Sequence, residues 1–476
     1  MSRVQTIFKN MGWLFVSQII ASICGFIWTI LLARYLGVSK YGILGFALSF
    51  TGILSILNDL GIGTHIVRHI ATDYDSASKY LGNAISLKTL FSIVTFVISL
   101  IILILMNSPP ITIQVTLLLT IHSSIGSMGG LFNGTFQAFE EGKYQGVNNT
   151  IFNVILLIFI LIVIYADCGL FGVTFGYLIA RIIATVYIYH ALKKHIVKPK
   201  IEFDKLFCKK IAIASIPFAL SSFLYLIYYS IDVVMINGLV GDYATGIYNA
   251  SYKLISVLTV FYSVYIAVIF PVMSKLFKND KEVLKVSFEK SVKYLTMIAI
   301  PLAIAIVLYS SDIITFVYGH KFDVAAQPLS ILIWTVCFLF INGAAATLLN
   351  ASNKEVAVTK VNAIAAVFNI VLNFFMIPHY TYNGAAITTV LSDLLILILY
   401  LYIMNKLGQL PNKRILIDLA KIIVASAVLG ISLYFLNLNM WVALPVGIII
   451  YFAVIFVLRF LDDDDKYIVK EIIGRN

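Results

Sequence analysis

Long apolar stretches recur from one end of the chain to the other, separated by short polar turns. About 20 apolar residues form an α-helix long enough to cross a lipid bilayer. A transmembrane β-barrel would instead show segments of about ten residues with alternating polarity. The pattern therefore predicts an all-α polytopic membrane protein with about fourteen transmembrane helices. The predicted spans are 11–36, 41–64, 81–106, 112–138, 145–166, 169–192, 210–237, 244–274, 287–310, 326–350, 356–378, 383–405, 415–436 and 440–460.

Composition agrees with this pattern, since 61% of the 476 residues are hydrophobic and only 12% are charged. Soluble proteins carry about 25% charged residues. The net charge of +11 could indicate a nucleic-acid partner. However, lysine and arginine collect in the loops on one predicted side, which the positive-inside rule assigns to the cytoplasm together with both termini. Anionic membrane lipids account for these cations, so we expect no nucleic-acid partner.

The chain contains an internal repeat. Residues 36–43 resemble residues 240–247, and residues 152–156 resemble residues 368–372, at offsets of about 204 and 216 residues. Both pairs indicate one duplication of six helices, and an even number of helices places both halves the same way up in the membrane. The predicted division is an N-terminal lobe at 1–192, a cytoplasmic linker at 193–209, a C-terminal lobe at 210–405, and two further helices with a cytoplasmic tail at 406–476.

Two ionisable residues flank the turn between the seventh and eighth predicted spans. Asp232 lies about 9 Å and Lys253 about 15 Å from this turn, at 1.5 Å per helical residue. A charge at such depth costs at least about 2.5–3.5 kcal/mol unless it is paired or faces water. Lys253 could bind a phosphate or pyrophosphate in a polar cavity, or its ammonium could reach outward to the membrane surface. Asp232 could pair with Lys253, carry a coupling proton or sodium ion, or anchor its helix.

A second cluster of polar residues lies at the end of the second predicted span. Asn58 and Asp59 lie near its cytoplasmic end, and Arg68 follows. These residues could line an inner gate, with Arg68 receiving an anionic head group, or form an ion pair at the interface. Lys88 lies one to two turns inside the third span, and there we expect its side chain to reach outward to the membrane surface.

Four further residues lie within or beside spans. Arg34 could line the outer end of the cavity or anchor its helix at the interface. Arg181 and Asp393 lie within spans and could each line the cavity. Tyr229 could form part of an aromatic wall against sugar rings, or belong to the interfacial aromatic belt.

No motif for covalent chemistry emerges from the sequence. The chain shows no glycine-rich phosphate loop, no His/Cys metal cluster, and no Ser-His-Asp set in a loop large enough to assemble one. We therefore expect a protein that is not an enzyme, with no catalytic residue, no metal and no cofactor. A coupling ion, H⁺ or Na⁺, remains compatible with the buried charges.

Several segments resemble repeat-unit polysaccharide flippases of the Wzx type. They are Leu32-Ala-Arg-Tyr-Leu-Gly37, Asp59-Leu-Gly61, Gly246-Ile-Tyr-Asn-Ala-Ser-Tyr-Lys253 and Asn369-Ile-Val-Leu-Asn373. These flippases belong to the multidrug/oligosaccharidyl-lipid/polysaccharide exporter superfamily, with MATE drug exporters and lipid II flippases. The resemblance implies a MATE-like fold, in which two six-helix lobes face a central cavity with two C-terminal helices alongside.

The function that this resemblance implies is transport of a lipid-linked oligosaccharide, joined through phosphate or pyrophosphate, from the cytoplasmic to the outer leaflet by alternating access. Such transport serves cell-surface polysaccharide biosynthesis, as in O-antigen assembly or teichoic acid export. The expected partners are membrane lipids and the glycosyltransferases or polymerase of the same pathway. One alternative is a MATE-like, cation-coupled multidrug exporter. The other is a membrane glycosyltransferase or polymerase, which would need a larger outer loop than the sequence offers.

Overall fold

The computed structural model describes residues 3–279, 281–412 and 414–460, and within these it forms fifteen α-helices and one short 3-10 helix. The four aspartates at 462–465, in the predicted cytoplasmic tail, lie outside the described residues. The elements are α1 (Arg3–Asp59), α2 (Ile62–Ile70), α3 (Ala77–Leu105), α4 (Pro110–Ala138), α5 (Gly142–Tyr165), α6 (Gly169–His195), α7 (Lys205–Leu239), α8 (Asp242–Asn279), α9 (Lys281–Leu308), α10 (Ser310–Tyr318), η1 (His320–Ala325), α11 (Ala326–Leu332), α12 (Trp334–Ala351), α13 (Glu355–Lys406), α14 (Arg414–Leu436) and α15 (Met440–Val457).

Two of these helices are kinked and contain two spans each. Helix α1 has 57 residues and breaks at Gly37, whose φ of 71° lies in the left-handed region that glycine adopts without steric cost. Helix α13 has 52 residues and breaks at Thr381, where φ is 52°. Both breaks fall in turns that the sequence predicted, between the first and second spans and between the eleventh and twelfth.

The helix count confirms an all-α, multi-pass membrane protein. Ten helices in the described part of the chain are long and apolar enough to cross a bilayer, and α1 and α13 are among them. Counting these two twice gives twelve spans. Helices α7 and α8, with 35 and 38 residues, bring the total to the fourteen predicted.

One local prediction was wrong. The second span was expected to continue to residue 64, but α1 ends at Asp59. Leu60 and Gly61 have φ values of 43° and 76°, which turn the chain into the separate helix α2. The connection between the predicted spans 287–310 and 326–350 is helical almost throughout, since α10 and η1 occupy it.

The chain divides into two compact units, Met1–Asn249 and Ala250–Asn476. In the first unit, α1 packs against α4, α5 and α7. The segment between α6 and α7 lies on the N-terminal end of α3, where the side chain of Asn83 accepts a hydrogen bond from the backbone of Asp204 at 2.8 Å. Asp204 in turn caps α7 by accepting from the backbone of Leu206 and Phe207. The boundary between the predicted lobes falls inside this unit and stays a prediction.

In the second unit, α9 packs against α12 and α14, and α14 packs against α15. The hydroxyl of Tyr451 on α15 donates to the carbonyl of Met297 on α9 at 2.8 Å. One turn earlier on α9, the ammonium of Lys293 lies 3.7 Å from the carboxylate of Asp418 on α14. The last two helices are therefore fixed to α9 by polar contacts as well as by apolar packing.

Candidate functional site

A polar cavity of about 890 Å³ lies among the helices of the first unit. Ligand pockets in proteins usually measure about 300–1,000 Å³. Helices α1 to α6 all contribute to its wall. The lining residues are Leu48, Thr51, Gly52, Ser55, Asp59, Gly63, Thr64, Val67, Arg68, Lys88, His122, Ser123, Gly126, Ser127, Gly130, Asn133, Gly134, Gln137, Gln145 and Arg181.

Glycines on α4 make room for this cavity. Gly126, Gly130 and Gly134 recur every fourth residue, so they lie on one face of the helix. A Cβ atom at Gly130 would meet no heavy atom within 4 Å, which shows open space directly beside this face. The missing side chains therefore leave a volume that polar residues of the neighbouring helices surround.

An ion pair lies in the cavity wall. The ammonium of Lys88 on α3 is 2.5 Å from Oδ1 of Asp59 and donates to the carbonyl of Ser127 on α4 at 2.8 Å. The side chain of Lys88 is only 2% exposed, whereas that of Asp59 is 32% exposed. The expectation that Lys88 reaches outward to the membrane surface was wrong, because the half-buried carboxylate of Asp59 and the carbonyl of Ser127 satisfy its charge within the protein.

Asp59 also fixes the direction of α2. Its Oδ1 accepts a hydrogen bond at 3.1 Å from the backbone N–H of Gly63, in the first turn of α2. An anionic acceptor at a helix N-terminus satisfies an otherwise unpaired donor and interacts favourably with the helix dipole. Arg68 lies on this helix, lines the cavity, and is exposed. The structure thus brings Asp59 and Arg68 to one cavity, where Lys88 is the ion-pair partner of Asp59.

Asn58 is buried behind the cavity wall and connects two of its helices. It is fully buried, and its Oδ1 accepts a hydrogen bond from the hydroxyl of Ser124 at 3.2 Å. Its amide donates to the hydroxyl of Ser123 at 3.5 Å. The side chain therefore joins α1 to α4 at the level of the ion pair.

Arg181 lies across the same cavity, on α6. Its guanidinium carbon is 3.7 Å from the centroid of the Phe152 ring on α5, within the distance of a cation–π interaction. Its Nε is buried and has no hydrogen-bond partner. His122, also in the lining, donates a hydrogen bond from Nδ1–H to the carbonyl of Tyr177 at 2.9 Å.

The cavity carries a net positive charge. Among the described residues that line it, Arg68, Lys88 and Arg181 are cationic and Asp59 is the only carboxylate. Asp59 is already paired with Lys88. In the described part of the chain, no acidic side chain lies within ion-pair distance of either arginine. Two arginines thus line the cavity without a carboxylate partner among the described residues.

Three residues of the first unit that the sequence offered as cavity residues lie outside this lining. Asp232 on α7 is buried, and its Oδ2 accepts a hydrogen bond at 2.8 Å from the hydroxyl of Tyr248 on α8. Tyr229 is half-buried and packs edge-on against Tyr228, with ring centroids 5.5 Å apart. Arg34 is exposed near the kink of α1.

Two further candidate cavity residues, Lys253 and Asp393, belong to the second unit. The side chain of Lys253 on α8 is exposed, and its backbone carbonyl accepts from the hydroxyl of Ser256. Asp393 on α13 is buried, and its carbonyl accepts a hydrogen bond at 2.9 Å from the amide of Asn342. The cavity roles predicted for Lys253 and Asp393 stay predictions.

Sequence reasoning missed several residues of this cavity, notably His122, Asn133, Gln137 and Gln145. One available signal was the four-residue spacing of glycines on α4, interleaved with Ser123 and Ser127. Such a small, polar stripe in an otherwise apolar span indicates a face that does not contact lipid.

Comparisons with known proteins are consistent with this architecture. A family model described as "Polysaccharide biosynthesis protein" matches residues 7–277, which is more than half of the chain. A second family model, MatE, matches residues 217–375. The resemblance that the sequence motifs indicated is thereby confirmed.

Relatives and solved structures extend the comparison. The chain is 29% identical over 247 residues to an uncharacterized membrane protein of Methanocaldococcus jannaschii, covering 50% of this chain and 48% of that protein. It is 25% identical over 162 residues to a probable low-salt glycan biosynthesis flippase of Haloferax volcanii, covering 34% of each. The matches thus span half or less of these relatives. The solved structure of the lipid II flippase MurJ, in an inward closed conformation, superposes with a TM-score of 0.75 at 16% identity, covering 94% of this chain and 98% of that one.

Proposed function

The chain belongs to the polysaccharide biosynthesis protein family, and we propose that it moves a lipid-linked oligosaccharide from the cytoplasmic to the outer leaflet of the cell membrane. The link between lipid and glycan is a phosphate or pyrophosphate. The protein acts as a transporter rather than an enzyme. Both termini lie in the cytoplasm, as the distribution of lysine and arginine predicts.

The observation that carries the proposal is the charge of the cavity. Membrane-spanning helices enclose about 890 Å³ lined by hydroxyl, amide and cationic side chains, with two arginines that lack an acidic partner among the described residues. Hydroxyl and amide groups suit the hydrogen-bonding surface of a sugar. Guanidinium groups suit phosphate and carboxylate oxygens, which they can contact through two parallel hydrogen bonds. An anionic glycan on a lipid combines these features.

The relatives support the same substrate class. The Haloferax volcanii protein is named a probable glycan biosynthesis flippase, and MurJ is named a lipid II flippase. In our proposal, the lobes predicted at 1–192 and 210–405 open alternately to the two sides of the membrane. The glycan passes through the polar interior while the lipid tail stays in the bilayer. Lys253 contributes a further cation to the path, and Asp232 is the candidate for a coupling ion.

A MATE-like exporter of cationic drugs is the alternative that the MatE match favours. A site for cations needs acidic groups that are available to the ligand. In the cavity described here, the single carboxylate among the described lining residues is already paired with Lys88. The charge of this cavity therefore favours the glycan lipid over the drug.

A steric variant tests the proposal without removing a charge. Gly130→Leu places a side chain in the open space beside α4, where a Cβ atom meets nothing within 4 Å. We expect the purified variant to fold normally but to lose most transport of a fluorescent polyprenyl-pyrophosphate oligosaccharide in proteoliposomes. Gly25→Leu is the matched control, because its Cβ atom also meets nothing within 4 Å and Gly25 does not line the cavity.

The same vesicles distinguish the two functions. Wild-type protein should flip the glycan lipid and should not drive efflux of a cationic dye under a proton or sodium gradient. Arg68→Ala should reduce glycan-lipid transport, because it removes an arginine from the cavity. Dye efflux without glycan-lipid transport would establish the drug exporter instead.

A further inference from the structure

Arg181 is a charge near the middle of the membrane. It lies about 18 Å from the start of α6 and about 21 Å from its end, at 1.5 Å per residue. An arginine at the centre of a span costs about 2.5–3.5 kcal/mol on insertion scales, so such residues usually face a cavity and serve a function. Here the side chain does line the cavity.

The surroundings of Arg181 hold it without neutralising it. Its guanidinium lies on the face of Phe152, 3.7 Å from the ring centroid. Phe152 is itself fixed by Trp28, edge-on at 6.3 Å, and by His122 at 5.9 Å. A cation–π contact supports a guanidinium but satisfies none of its in-plane N–H donors. Nε is buried without a partner, and no described carboxylate lies within ion-pair distance.

The charges facing Arg181 across the cavity leave it available to an anion. Lys88 and Asp59 neutralise each other at 2.5 Å, and Arg68 lies on α2, beyond the cytoplasmic end of the second span. A flat guanidinium held against a ring presents its donors in one plane. This geometry matches a carboxylate, which accepts two parallel hydrogen bonds from an arginine.

We propose that Arg181 binds a carboxylate on the glycan, and hence that the transported oligosaccharide contains an acidic sugar of the uronic acid class. The inference rests on the proposed function. The lipid tail keeps the pyrophosphate near the membrane surface from which the substrate enters, where Arg68 is exposed. The sugars extend further into the cavity, toward the depth of Arg181. Pyrophosphate is the other anion of such a substrate, and the experiment separates the two.

The test compares two synthetic polyprenyl-pyrophosphate disaccharides that differ only in a terminal glucuronic acid or glucose. Binding to the purified full-length chain in nanodiscs is measured for each. Wild-type protein should bind the acidic compound about ten- to a hundredfold more tightly, the range expected for a hydrogen bond to a charged group. Arg181→Gln should abolish this preference while retaining affinity for the glucose compound.

Further variants identify the cause. Arg181→Lys keeps the charge but loses the paired donors, and should retain only part of the preference. Phe152→Leu leaves Arg181 in place but removes the ring beneath it, and should also reduce the preference. Arg68→Ala should weaken the binding of both compounds equally, because both contain pyrophosphate. Lys360→Gln, which removes an exposed lysine of α13, is the charge control and should change neither affinity.

Two results would overturn the inference. One is equal affinity of wild-type protein for the two compounds. The other is an equal loss of affinity for both in Arg181→Gln, which would assign Arg181 to the pyrophosphate. If Arg181→Gln does not fold, the wild-type protein gives the same comparison. Lipid-free glucuronic-acid and glucose disaccharides are then compared as competitors for its binding of the glycan lipid. Normal flipping of the glucose compound in proteoliposomes would show that only this inference has failed and that the proposed function stands.

Discussion

Gly42 on α1 lies directly against the backbone carbonyl of Asp242 at the start of α8, and a Cβ atom at Gly42 would overlap that oxygen. The reverse contact also exists, since a Cβ atom at Gly246 would overlap the carbonyl of Val38. In the internal repeat, Val38 corresponds to Asp242 and Gly42 to Gly246. The two copies of the repeated turn therefore meet reciprocally, each glycine against the backbone of the other copy.

This contact predicts that Gly42→Ala destabilises the protein. The added methyl group meets backbone atoms, which have little freedom to move aside, and overpacking of this kind costs about 1–3 kcal/mol. Thermal unfolding of the purified protein in detergent should show a lower midpoint. Gly25→Ala is the control on the same helix, where no atom lies within 4 Å, and it should be neutral or slightly stabilising. An unchanged midpoint for Gly42→Ala would contradict the close backbone packing.

The Lys88–Asp59 pair predicts an asymmetric effect of removing either partner. Asp59→Asn leaves an almost completely buried ammonium without its counter-charge, which costs about 3–5 kcal/mol. Lys88→Met should cost less, because the side chain of Asp59 is 32% exposed and can be solvated. The double variant should recover most of the loss. Unfolding midpoints of the four proteins give this comparison, and strictly additive losses would show that the two residues do not interact.

The fold was largely predictable because membrane spans have a length and a composition that sequence reports directly. Gly37 likewise marked the first kink in the sequence, because few residues other than glycine adopt a positive φ. Helix α2 was not separated from the second span. The break depends on positive φ values at both Leu60 and Gly61. Gly61 was an available signal, but leucine rarely adopts a positive φ.

The site was predictable only in part. Asp59, Arg68 and Arg181 were identified as charges within or beside spans, and the structure brings them to one cavity. Position along a helix gives depth but not the direction in which a side chain points. The pairing of Lys88 with Asp59 therefore required knowledge of which faces of α1 and α3 meet. Their opposite charges on nearby spans were the one available signal.

Topology gives a direct test of the predicted orientation. Cysteine or glycosylation tags at Lys200 and at Glu471 should report the cytoplasm, and a tag at Asp242 should report the outside. Glu471 lies outside the described residues, so its location rests on the sequence alone. The physical basis is the concentration of lysine and arginine in alternate loops. A tag on the unexpected side would contradict either the fourteen-span count or the orientation.

Lys253 gives a functional test in the second unit. Its side chain is exposed, and no acidic residue of the described chain lies within ion-pair distance. Lys253→Ala should fail to restore surface glycan to a flippase-deficient strain although the protein still reaches the membrane, as membrane fractionation can verify. Lys253→Arg keeps the charge with different geometry and should restore part of the glycan. Wild-type glycan levels from the alanine variant would assign Lys253 to the membrane surface instead.

The reciprocal contact of the two turns also predicts how transport can be stopped. Alternating access requires the turn at 36–41 and the turn at 237–243 to separate when the path opens outward, a motion expected on the microsecond-to-millisecond scale. In this structure the turns are in contact through Gly42 and Gly246.

Ser39→Cys with Asp242→Cys should therefore cross-link in a background without Cys24, Cys168, Cys208 and Cys337. Val38 and Tyr243 are the neighbouring positions to scan. The cross-linked protein should bind but not flip the glycan lipid, and reduction should restore flipping in the same vesicles. Each single-cysteine variant controls for the substitution itself. Transport by fully cross-linked protein would show that these turns do not separate during the cycle.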